Sequence, residues 1–177
     1  MKRETPNPQT LYLVVNSQCN LRCKMCDLGQ RNRDGQFYRV MDRAGSSLSP
    51  ETIYALLDDT ASWKPAIAIT GTEPLLYPHL REVARRVLAS GHALQITTNG
   101  YLLQDYAAFF VEVGLTELWV SMDGPPEIHD FIRGVQGSFE RAAKGIWEVQ
   151  ASRQSSAKPR PSISLNFTVS QYNQHCL

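Results

Sequence analysis

Apolar runs along this chain are short, and they recur between stretches of helical pattern. LYLVVN (11–16) is β-branched and bounded by polar residues, and it reads as a first buried strand. A long stretch without periodicity follows, to about Ser49. Ser49-Pro50-Glu51-Thr52 then opens a helix to about Ser62, with Ser49 as N-cap and Pro50 at the first helical position. PAIAIT (65–70) is the second strand, and a helix over Pro78 to Ser90 is stopped by Gly91. ALQITT (93–98) is the third strand, followed by a helix near Leu103 to Val113 that ends at Gly114. ELWVSM (117–122) is the fourth strand, Ser138 to about Arg153 the last helix, and SISLNFTV (162–169) the fifth strand.

Strands alternating with helices predict an α/β fold with a parallel sheet and right-handed crossovers. A closed eight-stranded barrel takes about 250 residues, and five strands are found here. The expected architecture is therefore a partial (β/α) barrel. The chain stops soon after the fifth strand without an evident closing helix, so a fragment of a longer protein, truncated at the C-terminus, is expected. Residues 1–10 read as a polar tail and 11–177 as one incomplete core domain.

Composition narrows the class. At 177 residues and 42% hydrophobic, the chain can bury a sizeable core. A net charge of +1 lacks the basic footprint of a nucleic-acid binder. The first apolar run is too short for a signal peptide or a membrane span, so no membrane association and a cytoplasmic setting are expected. Of four cysteines, three fall between Cys19 and Cys26. A disulfide framework would spread its cysteines along a small secreted chain. Clustering in an α/β chain points to metal instead.

In parallel α/β sheets, ligands sit beyond the carboxyl ends of the strands. CNLRCKMC (19–26) follows the first strand, GTEP (71–74) the second, TTNG (97–100) the third and SMDG (121–124) the fourth, while the fifth carries Asn166. Three thiolates in one tight loop can hold three irons of a cubane and leave the fourth open. Such clusters normally take four cysteines, so a set of three reads as an open, reactive site. Zinc, completed by Cys176 or a histidine, is the alternative; structural zinc favours paired cysteines or histidines at fixed spacing, and no such partner is evident.

Taken singly, the other motifs have plain structural readings. GTEP makes a turn before a helix, with Glu73 as a carboxylate favoured at a helix N-terminus; TTNG is a turn signal; Asn166 suits a buried amide. Asp130 and Arg133 suit an i,i+3 pair, or Arg133 reaches a cofactor or an acidic substrate group. His79, His92 and His175 read as surface or packing residues. Asp27 to Ser47 lacks periodicity and carries Arg31, Arg33, Arg39 and Arg43 with Phe37 and Tyr38. A loop this long suits a lid over the metal site.

CNLRCKMC resembles the signature of the radical S-adenosylmethionine (radical SAM) superfamily. GTEPLL is similar to that superfamily's GGEP motif, and SMDG-PPEIHDFIRG-VQGSFE resembles the strand-four region of its peptide- and protein-modifying, SPASM-type branch. The likeness runs from about Leu11 to Thr168. It implies a [4Fe–4S] cluster on Cys19, Cys23 and Cys26, whose open iron takes the amino and carboxylate groups of S-adenosylmethionine (SAM). It implies Gly71, Thr72 and Glu73 around the methionine amino group, where a glycine lets backbone come close. Ser121, Asp123, Thr98 and Asn99 become candidates for the ribose hydroxyls and the carboxylate, with Asn166 a further polar candidate and Met25 along the adenine.

Two positions depart from the family pattern. Thr72 stands where a second glycine is usual, which suits a backbone contact provided its φ is negative. Met25 stands where an aromatic is common, and its polarizable side chain can cover a ring edge. The implied activity is reductive cleavage of SAM to a 5′-deoxyadenosyl radical that takes hydrogen from a substrate, a peptide or protein by the strand-four likeness. A one-electron donor such as flavodoxin or ferredoxin is implied too. The C-terminal region that would choose substrates and hold auxiliary clusters is expected to be absent from this sequence. A SAM-binding fragment without turnover is the other alternative.

Overall fold

The computed structural model describes residues 6–44 and 47–176. Five strands form one sheet: β1 (Thr10–Leu13), β2 (Ala66–Ile69), β3 (Leu94–Thr98), β4 (Glu117–Ser121) and β5 (Ser162–Asn166). All pair in parallel and in sequential order. With right-handed crossovers, sequential order puts every connecting helix on one face. The result is the partial (β/α) barrel that the alternation predicts.

The helices are α1 (Gln36–Ala44), α2 (Pro50–Asp59), α3 (Leu80–Ala89), α4 (Leu103–Val113), α5 (Pro126–Arg133) and α6 (Ser138–Ser156), with 3-10 turns at Pro74–Leu76 and Gln174–Cys176. The Ser49 hydroxyl accepts from Thr52 N, as the N-cap reading requires. Gly114 closes α4 with φ 76°. β1 ends at Leu13 rather than Asn16, because its partner β2 ends at Ile69 and Gly71, with φ 96°, turns that chain away.

α1 lies inside the stretch read as irregular, which corrects that expectation. Its signal is short and diluted by arginines: Phe37 and Met41 share a face at i,i+4 spacing, and Met41 is buried. The side chain of Arg43 and the residues 1–5 and 45–46 lie outside the described residues.

Burial alternates along β3 and β4, while the central positions of β2, Ala68 included, are buried throughout. Ile67, Ile69, Leu94, Ile96, Leu118 and Val120 meet Leu80, Val83 and Val87 of α3 and Leu103, Ala107 and Phe110 of α4 in one core. Each such side chain contributes about 1.5–3 kcal/mol on burial. The opposite face carries Tyr12, Gln95, Thr97, Glu117, Trp119 and Ser121, none of them fully buried. Among the described residues, no helix is long and apolar enough to cross a membrane.

Candidate metal and cofactor site

The cysteine loop leaves β1 and folds back through its own backbone. Cys26 N donates to Cys23 O at 3.2 Å. The Gln30 amide then closes the loop by donating to the carbonyls of Arg22 and Cys23 at 3.1 and 2.9 Å. α5 stitches the loop from outside, since Arg22 N donates to Arg133 O and Lys24 N to Ile132 O, at 3.0 and 2.8 Å. Cys19, Cys23 and Cys26 thereby line one cavity of about 230 Å³ at the carboxyl end of the sheet.

Met25, Gly71, Thr72, Glu73, Thr98, Asn99 and Ser121 line the same cavity. Thr72 does not have a positive φ, so its backbone meets the condition set by its departure from glycine. Its hydroxyl donates to Asn16 O at 2.9 Å and lies 3.0 Å from Asn16 Oδ1. Asn16 is itself buried and donates through Nδ2 to Glu73 O at 3.0 Å. The residue before the cysteine loop therefore shapes the GTEP turn.

Glu73 is 1% exposed. Its Oε1 accepts from Thr98 Oγ1 (2.7 Å) and Leu75 N (3.0 Å), and its Oε2 accepts from Asn99 N (2.8 Å). Burial pushes the carboxyl up, and the bonds from Thr98, Asn99 and Leu75 oppose that shift. Oε2, with one donor, keeps acceptor capacity for a cationic ligand group. Thr98 also accepts from Gly100 N at 3.1 Å, so its hydroxyl is committed to the protein. The Asn99 amide donates to Asn20 Oδ1 at 2.7 Å and points at Cys19 Sγ at 3.9 Å. Both side chains hold other groups of the site in place.

Asp123 and Asn166 are not brought to the cavity. Asp123 is fully buried and paired with Arg133, Oδ2 to Nη2 at 2.6 Å. The contact is close but poorly aligned for a hydrogen bond, so charge attraction carries it. Asn166 lies in register with Ser121 on the same sheet face, half-buried and beyond the lining.

The expected Asp130–Arg133 pair does not form. Asp130 instead accepts from Gly137 N, Ser138 Oγ and Phe139 N, capping α6. Arg133 turns inward, lines the cavity and points Nη1 at Cys23 Sγ at 3.8 Å. Thr97, Thr70 and Leu28 complete the wall. Thr97 was legible in principle: it alternates with Leu94, Ile96 and Thr98, so it must face away from the helices. Of the histidines, His92 packs with its Nδ1 against Pro65 O at 2.9 Å, and His79 lies 3.8 Å from Glu82.

Four observations test whether these residues fit an iron–sulfur cluster. Among the described residues, no three His, Cys, Asp or Glu side chains converge on a single metal ion. Tetrahedral zinc would require that convergence, whereas a cubane seats three thiolates on three separate irons. Cys176, the proposed fourth zinc ligand, lies beside Gly124 rather than in the cavity. N–H donors also face two of the sulfurs, as ligating thiolates favour. Finally, burial pushes the Cys19 thiol up and the Cys23 thiol up to about 11, the latter against the pull of Arg133. The charge of a bound metal opposes that shift, since a coordinating thiol is deprotonated. The residues fit the cluster.

The family model of the radical SAM superfamily matches residues 13–154. The chain belongs to the radical SAM superfamily. It is 34% identical over 161 residues to Fe-coproporphyrin III synthase of Methanosarcina barkeri, covering 90% of this chain and 36% of that protein. To pre-heme d1 synthase of Dinoroseobacter shibae it is 30% identical over 176 residues, covering 97% of this chain and 39% of the relative. This radical SAM chain thus spans less than two-fifths of the length of these curated relatives. Among solved structures, anSMEcpe with bound AdoMet and a Cp18Cys peptide superposes with a TM-score of 0.65 at 20% identity, over 90% of this chain and 42% of that one. The radical SAM family uses a [4Fe–4S] cluster and SAM, and the relatives are named as synthases.

Proposed function

We propose that this chain is the SAM-cleaving core of a radical SAM enzyme, with Cys19, Cys23 and Cys26 as cluster ligands. The observation that carries the reading is the single cavity where the three cysteines meet Glu73 and the Gly71–Thr72 backbone. When bound, the cluster supplies an electron for cleaving SAM to methionine and a 5′-deoxyadenosyl radical that takes a substrate hydrogen. The protein's part is binding and orientation. Glu73 Oε2 receives the methionine ammonium, with the Gly71 and Thr72 backbone beside it. Ser121 and the unpartnered, buried Nε of Arg133 offer donors for the carboxylate. Met25, 38% exposed at the mouth, covers the adenine. Asp123 and Asn166 play no direct part in this arrangement.

A small-molecule substrate is favoured over a peptide. Relatives at 30% identity or more are named for haem-type synthesis or as GTP 3',8-cyclases, while the peptide-bound neighbour shares 20% identity and the fold. A cytoplasmic setting and an external one-electron donor such as flavodoxin or ferredoxin complete the proposal.

Anaerobic reconstitution tests it. Wild-type protein is expected to bind iron and sulfide and, with dithionite, to turn SAM into 5′-deoxyadenosine measured by mass spectrometry. Cys→Ala at position 19, 23 or 26 should lower that product at least 100-fold, an effect of about 3 kcal/mol or more on the barrier. Product formation at the wild-type rate in any of the three variants would sink the assignment.

A further inference from the structure

Asp123 and Arg133 form a buried ion pair, with relative exposures of 0% and 8%. Desolvation costs several kcal/mol per ion, and charge attraction across the close Oδ2–Nη2 contact of 2.6 Å opposes it. One arm of the guanidinium fork meets Asp123 Oδ2 and the other points at Cys23 Sγ at 3.8 Å. We propose that Arg133, locked by Asp123, is a positioning residue that sets the reduction potential of the cluster through Cys23. The proposal rests on the cysteines holding the cluster, as argued above.

Everything around the pair fixes that distance. Asp123 Oδ1 accepts from Thr168 N at 3.0 Å, and Asp123 N donates to His129 Nδ1 at 3.1 Å. The carbonyls of Ile132 and Arg133 take the amides of Lys24 and Arg22. Gly134, at φ 69°, lies so close to Arg22 that a Cβ would strike its carbonyl. The last turn of α5 and the cysteine loop therefore move as one body, with the guanidinium between them.

The consequence is electrostatic. Reduction adds one electron, supplied by an external donor, and raises the negative charge shared with the cysteine sulfurs. A charged N–H donor fixed at one sulfur favours the reduced form, and more strongly in a buried site than in water. The Asp123 carboxylate, on the far arm of the fork, restrains the guanidinium from outside that contact. The donors at Cys19 are neutral amides, the backbone of Leu21 and the side chain of Asn99. Among the described residues, Arg133 at Cys23 is the charged side-chain donor that meets a cysteine sulfur of the site.

Wild type, Arg133→Lys and the double variant Asp123→Asn/Arg133→Gln test this, the double avoiding an unpaired buried carboxylate. Each is reconstituted anaerobically, assayed for iron and sulfide, and titrated with dithionite while the reduced cluster is followed by electron paramagnetic resonance. The double variant is expected to load fully and to show a more negative midpoint potential. Arg133→Lys, which keeps the charge but loses the fork, should fall between it and wild type. Fully loaded variants with the wild-type midpoint would overturn the proposal. If the double variant fails to load, Arg133→Lys alone decides: a lowered midpoint supports the proposal and an unchanged one overturns it. Wild-type protein that takes up no iron overturns the cluster assignment itself, and this proposal with it.

Discussion

The single proton of the Thr72 hydroxyl is offered to two oxygens of Asn16, a hydrogen bond a glycine would forgo at a cost of about 1 kcal/mol. Asp130 shows the same principle with a charge. Burial raises its carboxyl, but bonds from Phe139 N, Gly137 N and Ser138 Oγ outweigh that and hold it below the usual range. A depressed native pKa gives stability that is present above the ordinary Asp value near 3.9 and lost as pH falls through the native value. Asp130→Ala is therefore expected to cost about 1–2 kcal/mol near neutral pH, as a lost helix cap does. The gap between mutant and wild-type urea midpoints should close as the pH is taken below about 4. A gap independent of pH would show that the carboxylate charge is not what caps α6.

At the scale of elements, α6 has a glycine, Gly137, at its N-cap and takes its cap from α5 instead. α6 also lies close against α4, and Gly145 permits the approach. A Cβ there would stand 2.6 Å from Leu103 Cβ and 3.1 Å from Gln104 N. Helix propensity alone would make Gly145→Ala stabilising by about 1 kcal/mol. Overpacking of this kind costs about 1–3 kcal/mol, and the contact is with backbone and a Cβ, which cannot swing aside. A net loss of stability by chemical denaturation is expected, and a gain would mean that the two helices separate readily. α5 shows the converse, an eight-residue helix whose last turn holds a loop of another element in place.

Across the whole molecule, the sheet has a packed face and an open one. Leu165, in register with the core residue Val120, is 59% exposed at the β5 edge of the packed face, and Tyr12 is 70% exposed on the open face of β1. The site gathers at the carboxyl edge, on a cysteine segment with no strand or helix of its own. Bound cluster should therefore tie that segment down. Loading is expected to raise the melting temperature by about 5 °C or more, since each kcal/mol gained by ligand linkage shifts a chain this size by about 2–4 °C. Equal melting of apo and loaded protein would mean that the cluster does not bind the folded loop in preference to the unfolded chain. Periodicity in the sequence determined the five strands, their order and the rim on which Cys19, Glu73 and Ser121 meet, because period-2 burial and strand–helix alternation are local patterns. Cysteine spacing pointed to a metal site and left cluster and zinc as alternatives. Only the tertiary structure decided that Thr98 and Asn99 brace Glu73 and Cys19, that Asp130 caps α6, and that Asp123 faces Arg133 rather than the cavity. Such partners lie 7 to 80 residues apart along the chain, and a side chain's commitment depends on which acceptor the fold brings within about 3 Å, which no local pattern encodes.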